Sequence, residues 1–146
     1  MPKIDKDDLN NLGFVKEMFS LDDETFDTRL DAIISTAGTV ISGRIGQSLY
    51  DSATEPTKSY VVLAEWNYAA SELMSLRINK IISGLRAGGD QADTKSEVMQ
   101  RDTYLDNYET MINNIQSIQH DKSFAFGTIT TAPSDSILND LKSRVY

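Results

Sequence analysis

The sequence predicts an all-α protein: a helical bundle of three long helices preceded by a short N-terminal helix, with an extended C-terminal tail. Apolar side chains recur every three to four residues over residues 22–47, 56–85 and 95–119. A polar linker and a Gly-rich break, Gly84-Leu85-Arg86-Ala87-Gly88-Gly89-Asp90, separate these stretches. Only after His120 does the character change, to a tail rich in Phe, Thr and Ser. Residues 1–120 therefore read as a bundle domain and residues 121–146 as a docking tail.

The first helix is expected within Asp7–Phe19, where Leu9, Leu12, Val15, Met18 and Phe19 share helical spacing and Gly13 weakens the pattern. Ser20-Leu21-Asp22-Asp23 then resembles a capping signal, and Asp22, Asp23 and Glu24 suit the positive end of the following helix. Along that helix Phe26, Leu30, Ile33, Ile34, Ala37, Ile41 and Ile45 form one apolar stripe. Gly38, Gly43 and Gly46 either admit a close neighbour or let the last turns fray.

Tyr50–Pro56 reads as a polar linker, with Pro56 in the first turn of the next helix. That helix carries Tyr60, Leu63, Ala64, Ala70, Leu73, Met74, Ile78 and Ile81 at a period near 3.6. Val61, Val62, Trp66 and Ile82 widen the stripe, which places this helix at the centre of the bundle. Gly84–Asp93 reads as a loop. In the third long helix Val98, Leu105, Tyr108, Ile112 and Ile115 approach a heptad seam, interrupted by Arg101, with Glu97 and Arg101 as an i,i+4 pair. In the tail, Phe124–Thr131 has β-propensity, and Ser134 caps a short helix bearing Ile137, Leu138, Leu141 and Val145. These apolar groups either fold back on their own core or dock on a neighbour.

At 146 residues the chain is large enough to fold without staples, and it has no cysteine for disulfide or thiolate chemistry. Its 22 acidic and 14 basic residues leave a net charge of −8, which opposes tight wrapping of nucleic acid. Met1–Asp8 lacks the apolar run of a signal peptide, and Ala32–Gly43 is too short to span a bilayer, so a soluble protein without membrane contact is expected.

No catalytic constellation emerges. His120 is the only histidine, and beside Asp121 it reads as a helix C-terminal cap. The acids Asp22–Glu24, Asp27 and Asp31 lack the loop pattern of a calcium site. Asp23, Asp27 and Asp31 instead share one helical ridge, either a solvated face or a negative face toward a channel or basic partner. The Gly84–Gly89 loop lacks phosphate-loop spacing, and Asp51 and Glu55 are not distinguished as a glycosidase pair. Arg77 and Arg101 suggest buried or interfacial ion pairs, with Asp102, Asp106 and Glu109 as possible partners for them. No enzyme activity, cofactor or metal is expected.

Three stretches together carry a family likeness: Phe26–Ile34 with Ile41–Gly46, Tyr60–Leu73, and the Gly-rich loop followed by Glu97–Tyr108. Over roughly residues 20–120 the layout resembles the head-to-tail connector (adaptor, or head completion) proteins of tailed bacteriophages. The resemblance implies a structural virion protein, made in the host cytoplasm, that forms a homo-oligomeric ring, typically of twelve copies. Such a ring sits between the portal protein and a tail-side connector or stopper and continues a channel through which DNA passes without specific binding. It implies portal docking by the tail, through Phe124, Phe126, Ile129, Ile137, Leu138, Leu141, Val145 and Tyr146. Because cyclic assembly is heterologous, the helices starting near Asp22 and Lys95 are expected to supply the flanks. Tyr108, Ile112 and Arg101 are placed at the subunit interface, and Asp23, Asp27 and Asp31 toward the channel. The competing expectation is a small cytosolic regulatory or adaptor module whose tail folds on a partner protein.

Overall fold

The computed structural model describes residues 1–88 and 94–129, with side chains for 1–84 and 94–122. Every regular element among them is helical: α1 (Lys6–Asn11), a 3-10 turn (Lys16–Met18), α2 (Asp23–Ile45), α3 (Gln47–Ser52), α4 (Thr57–Gly88) and α5 (Lys95–Ile129). The all-α expectation holds. By its internal contacts the chain divides into Met1–Ile115 and Gln116–Tyr146, five residues before the expected boundary. The described part of the second unit is the end of α5.

Helix α1 begins earlier than expected because Asp5 and Asp8 form a reciprocal capping box. The Asp8 amide donates to Asp5 Oδ1 at 3.1 Å, and the Asp5 amide donates to Asp8 Oδ2 at 2.9 Å. The helix stops at Asn11, and Gly13 follows at φ +91. Beyond it Phe14 and Phe19 enter the core from a turn, Leu12 and Met18 pack against it half-buried, and Val15 stands exposed. Asp22 caps α2 by accepting from the Thr25 amide at 2.8 Å, so the Ser20 signal was displaced by two residues. That amide and the Thr25 hydroxyl hold the Asp22 carboxyl below its usual range.

Phe26, Leu30, Ile34, Ala37, Ile41 and Ile45 bury the α2 stripe, and Ile33 stays half-buried. These side chains divide between two cores. Leu30 and Ile34 pack in the first with Ala69, Ala70, Leu73 and Met74, while Ile41 and Ile45 pack in the second with Val61 and Ala64. That pairing requires α2 and α4 to run antiparallel. The first core is closed by Ile4, Leu9, Phe14 and Phe19 from the N-terminal region. The second is closed by Tyr50 of α3 and by Tyr108, Ile112 and Ile115 of α5.

Several expectations shift at helix ends. Tyr50, read as linker, is 2% exposed within α3. Pro56 stands just before α4 and not within it. The backbone of α4 continues through Gly84–Gly88, so any break there starts later than the glycines suggested; residues 89–93 lie outside the described set. Leu63 and Ile82, assigned to the α4 stripe, point outward.

The start of α5 at Lys95 agrees with the periodicity, but its backbone is helical through Ile129. The strand reading therefore fails for Phe124–Ile129, and residues 130 and 131 lie outside the described set. His120 falls inside α5 and is exposed, so it caps no helix end. The seam also shifts: Tyr104 packs toward the core and meets Phe14 at 6.4 Å, while Leu105 is 36% exposed.

Truncating Ile112, which is 0% exposed, removes a complete core side chain. Ile112→Ala is expected to lose about 2–5 kcal/mol of stability in urea denaturation. Leu105→Ala, outside the core, is expected to change stability by less than about 1 kcal/mol.

Candidate functional site

A buried carboxyl group, not a cleft, is the most constrained polar feature among the described residues. Glu65 lies near the middle of α4 with 0% exposure. Its Oε2 accepts the backbone N–H groups of Lys3 at 2.6 Å and Ile4 at 3.0 Å, and its Oε1 is hydrogen-bonded to the Tyr50 hydroxyl. The same hydroxyl lies 3.1 Å from the Met1 carbonyl oxygen. Five polar groups from three chain segments, the carboxyl included, thus converge where solvent is excluded from that carboxyl. An unmet donor or acceptor in such a place costs about 1–3 kcal/mol.

Each partner is positioned by a local feature. Gly46 adopts φ +91 between α2 and α3, a conformation that side-chain-bearing residues rarely adopt, and this turn brings Tyr50 back over α2. Gly38 lies where Tyr50 and the N-terminal segment cross α2. A Cβ there would come 3.0 Å from the Tyr50 hydroxyl and 3.3 Å from Pro2 Cγ. The close approach that this glycine permits is thus to a tyrosine and an extended segment. Ile4 anchors the segment in the first core.

Burial is the largest influence on Glu65 and raises its carboxyl above the ordinary range; the bonds from Tyr50, Lys3 and Ile4 act in the opposite direction. Burial likewise pushes the Tyr50 phenol up, reinforced by Glu65, so Tyr50 remains a neutral donor near neutral pH.

The expected site residues fall elsewhere. Asp23, Asp27 and Asp31 are exposed, and each has an intrachain cation: Lys16 faces Asp23 at 2.5 Å, and Lys6 faces Asp27 at 3.4 Å and Asp31 at 3.0 Å. Their negative charge is therefore partly offset within the chain. Tyr108 and Ile112 are buried in the second core and offer no free flank for a subunit interface. Arg101 remains partly exposed and pairs with Asp102 at 2.7 Å, while its expected partner Glu97 faces Arg77 at 3.7 Å. Phe124, Phe126 and Ile129 lie in the helical backbone of α5; nothing is described for their side chains. Ile137, Leu138, Leu141, Val145 and Tyr146 lie outside the described residues.

Arg44 was not foreseen. It forms a two-pronged pair with Glu109, at 3.1 and 2.9 Å, and lies 5.8 Å from the centre of the Tyr108 ring, tying α2 to α5. An open cleft of about 800 Å³ lies along the start of α5, lined by Leu12, Met99, Thr103 and Tyr104 among others. Its titratable lining groups are Lys95 and Tyr104. Among the described residues no group of three potential ligands could hold a metal ion, and no helix is long and apolar enough to cross a membrane.

No protein-family model matches this sequence, and neither a curated protein nor a solved structure matches it.

Replacing Glu65 with Leu leaves the Lys3 and Ile4 amides without their acceptor and the Tyr50 hydroxyl with the Met1 carbonyl alone. Glu65→Leu is expected to cost about 3 kcal/mol or more in chemical denaturation. Gly38→Ala is expected to cost about 1–3 kcal/mol through the crowding at Tyr50 and Pro2. Both variants should increase hydrogen exchange at the Lys3 and Ile4 amides.

Proposed function

We propose that this chain is a structural assembly protein without enzymatic activity, which forms a ring between a phage portal and the next tail component. The observation that favours assembly is the set of apolar side chains on the long helices that stand exposed among the described residues. Met99 is 63% exposed and Leu105 is 36% exposed, although α5 closes the second core elsewhere. Solitary exposed apolar residues are common; these two lie on one helix about a third of a turn apart around its axis, and Met99 borders the large cleft.

In this reading the neighbour's flank covers the Met99–Leu105 stretch, and the interface role passes from Tyr108 and Ile112 to these residues. Arg101 lies between them in sequence. The net charge of −8 suits a lumen through which DNA slides without forming phosphate contacts. Portal protein and a tail-side stopper are the proposed partners, and the virion's head–tail junction is the proposed location.

Mass photometry and negative-stain microscopy of the full chain, alone and with purified portal protein, test the proposal. A closed ring on the portal is the expected outcome. Met99→Asp combined with Leu105→Asp should retain the parent's unfolding midpoint within a few degrees and abolish ring formation. A monomer that ignores the portal, or a one-to-one complex with a cellular protein, contradicts the reading.

A further inference from the structure

We propose that Met1–Ile4 is a proton-gated strap, closed over α2 and α4 while Glu65 is neutral and released when Glu65 ionises. The inference rests on the hydrogen-bond inventory of the site and stands independently of the assembly reading.

Tyr50 has one hydroxyl proton and two acceptors in reach, Glu65 Oε1 and the Met1 carbonyl. When Glu65 is neutral with its proton on Oε1, that proton is donated to the Tyr50 oxygen, and the Tyr50 proton is donated to Met1. Oε2 still accepts from Lys3 and Ile4. Every group of the cluster is then satisfied. When Glu65 is ionised, Tyr50 must donate to Oε1, and the Met1 carbonyl loses its donor. The carboxylate is also left at a position with 0% exposure. Opening the strap hydrates it.

Open space flanks the first residues of the strap, while Ile4 at its end is buried in the first core. One cleft of about 140 Å³, bordered by Ser35, Gly38, Thr39 and Ser42, flanks Met1 and Pro2 on the α2 side. A second of about 500 Å³ is bordered by Asp5, Lys6, Asp7 and Asp31. The α2 groups facing the first cleft carry no charge. Lys3, whose ammonium lies 5.0 Å from the centre of the Tyr50 ring, favours ionised Glu65, as do the bonds from Tyr50, Lys3 and Ile4; Asp51 of α3 acts on Tyr50. Burial outweighs these contacts, so the closed state prefers the neutral acid. The sign follows: the stability of the closed strap is fully present below the ordinary glutamate value of 4.5 and is lost as pH rises through the raised value.

Hydrogen exchange of the full chain, corrected for the intrinsic pH dependence of exchange, reads the strap at the Lys3 and Ile4 amides. Their protection is expected to fall about tenfold or more between pH 4.5 and 8, while core amides of α4 stay protected. Glu65→Gln keeps an oxygen for the two amides and a donor for Tyr50, and should make that protection independent of pH. Tyr50→Phe provides a second readout, because removing the relay should weaken protection at low pH. Constant protection in the parent protein overturns the proposal, as does an equal pH response in Glu65→Gln. A carbon-13 titration placing the Glu65 carboxyl in the ordinary glutamate range overturns it as well.

Discussion

The burial of one carboxyl group in the middle of α4 constrains much of what surrounds it. An acid without solvent must be met by donors or remain neutral, and Glu65 is met by two backbone amides and a phenol. Those partners come from opposite sides of α2 in sequence. The N-terminal segment must return to the bundle, α3 must turn back at Gly46, and α2 must leave space at Gly38. A hydrophobic contact tolerates sliding by an ångström or two, whereas this cluster admits one register.

The same cluster lies beside the two cores and connects the segments that close them. Ile4 enters the first and Tyr50 the second. The antiparallel α2–α4 pair has small residues between larger ones, including Ala37, Ala64, Ala69 and Ala70, so the two backbones approach closely. Neither half of that pair is covered by α2 and α4 alone. The N-terminal region covers one half and α3 with α5 covers the other. Arg44 and Glu109 add a charged tie across α2 and α5, but both side chains are substantially exposed, and packing of Tyr108 and Ile112 carries more of that contact.

The long elements were legible because their apolar residues repeat at the helical period: the α2 stripe from Phe26 to Ile45 and the start of α5 at Lys95 agree with the structure. The short elements were not. Tyr50 sits among polar neighbours, and only the fold shows that a turn at Gly46 carries it inward. Glu65 gives no sequence signal, since a glutamate in an apolar helix has the same letter whether it faces water or three donors. Asp5 and Asp8 could have been read as a capping pair from their spacing of three. Phe124–Ile129 has the composition of a strand, yet its backbone continues α5, which shows residue propensity yielding to helix propagation. Tyr108 and Ile112 were correctly seen as one apolar face, but periodicity does not distinguish a face buried by its own chain from one offered to another.

A double-mutant cycle between Glu65 and Tyr50 tests the central claim most directly. Stability would be measured for the parent, Glu65→Gln, Tyr50→Phe and the double variant by urea denaturation at one pH. A coupling energy above about 1 kcal/mol is expected if the two side chains act as one cluster that fixes the register of the fold. Additive losses, with coupling near zero, would show that the carboxyl and the phenol are independent neighbours and would contradict the account.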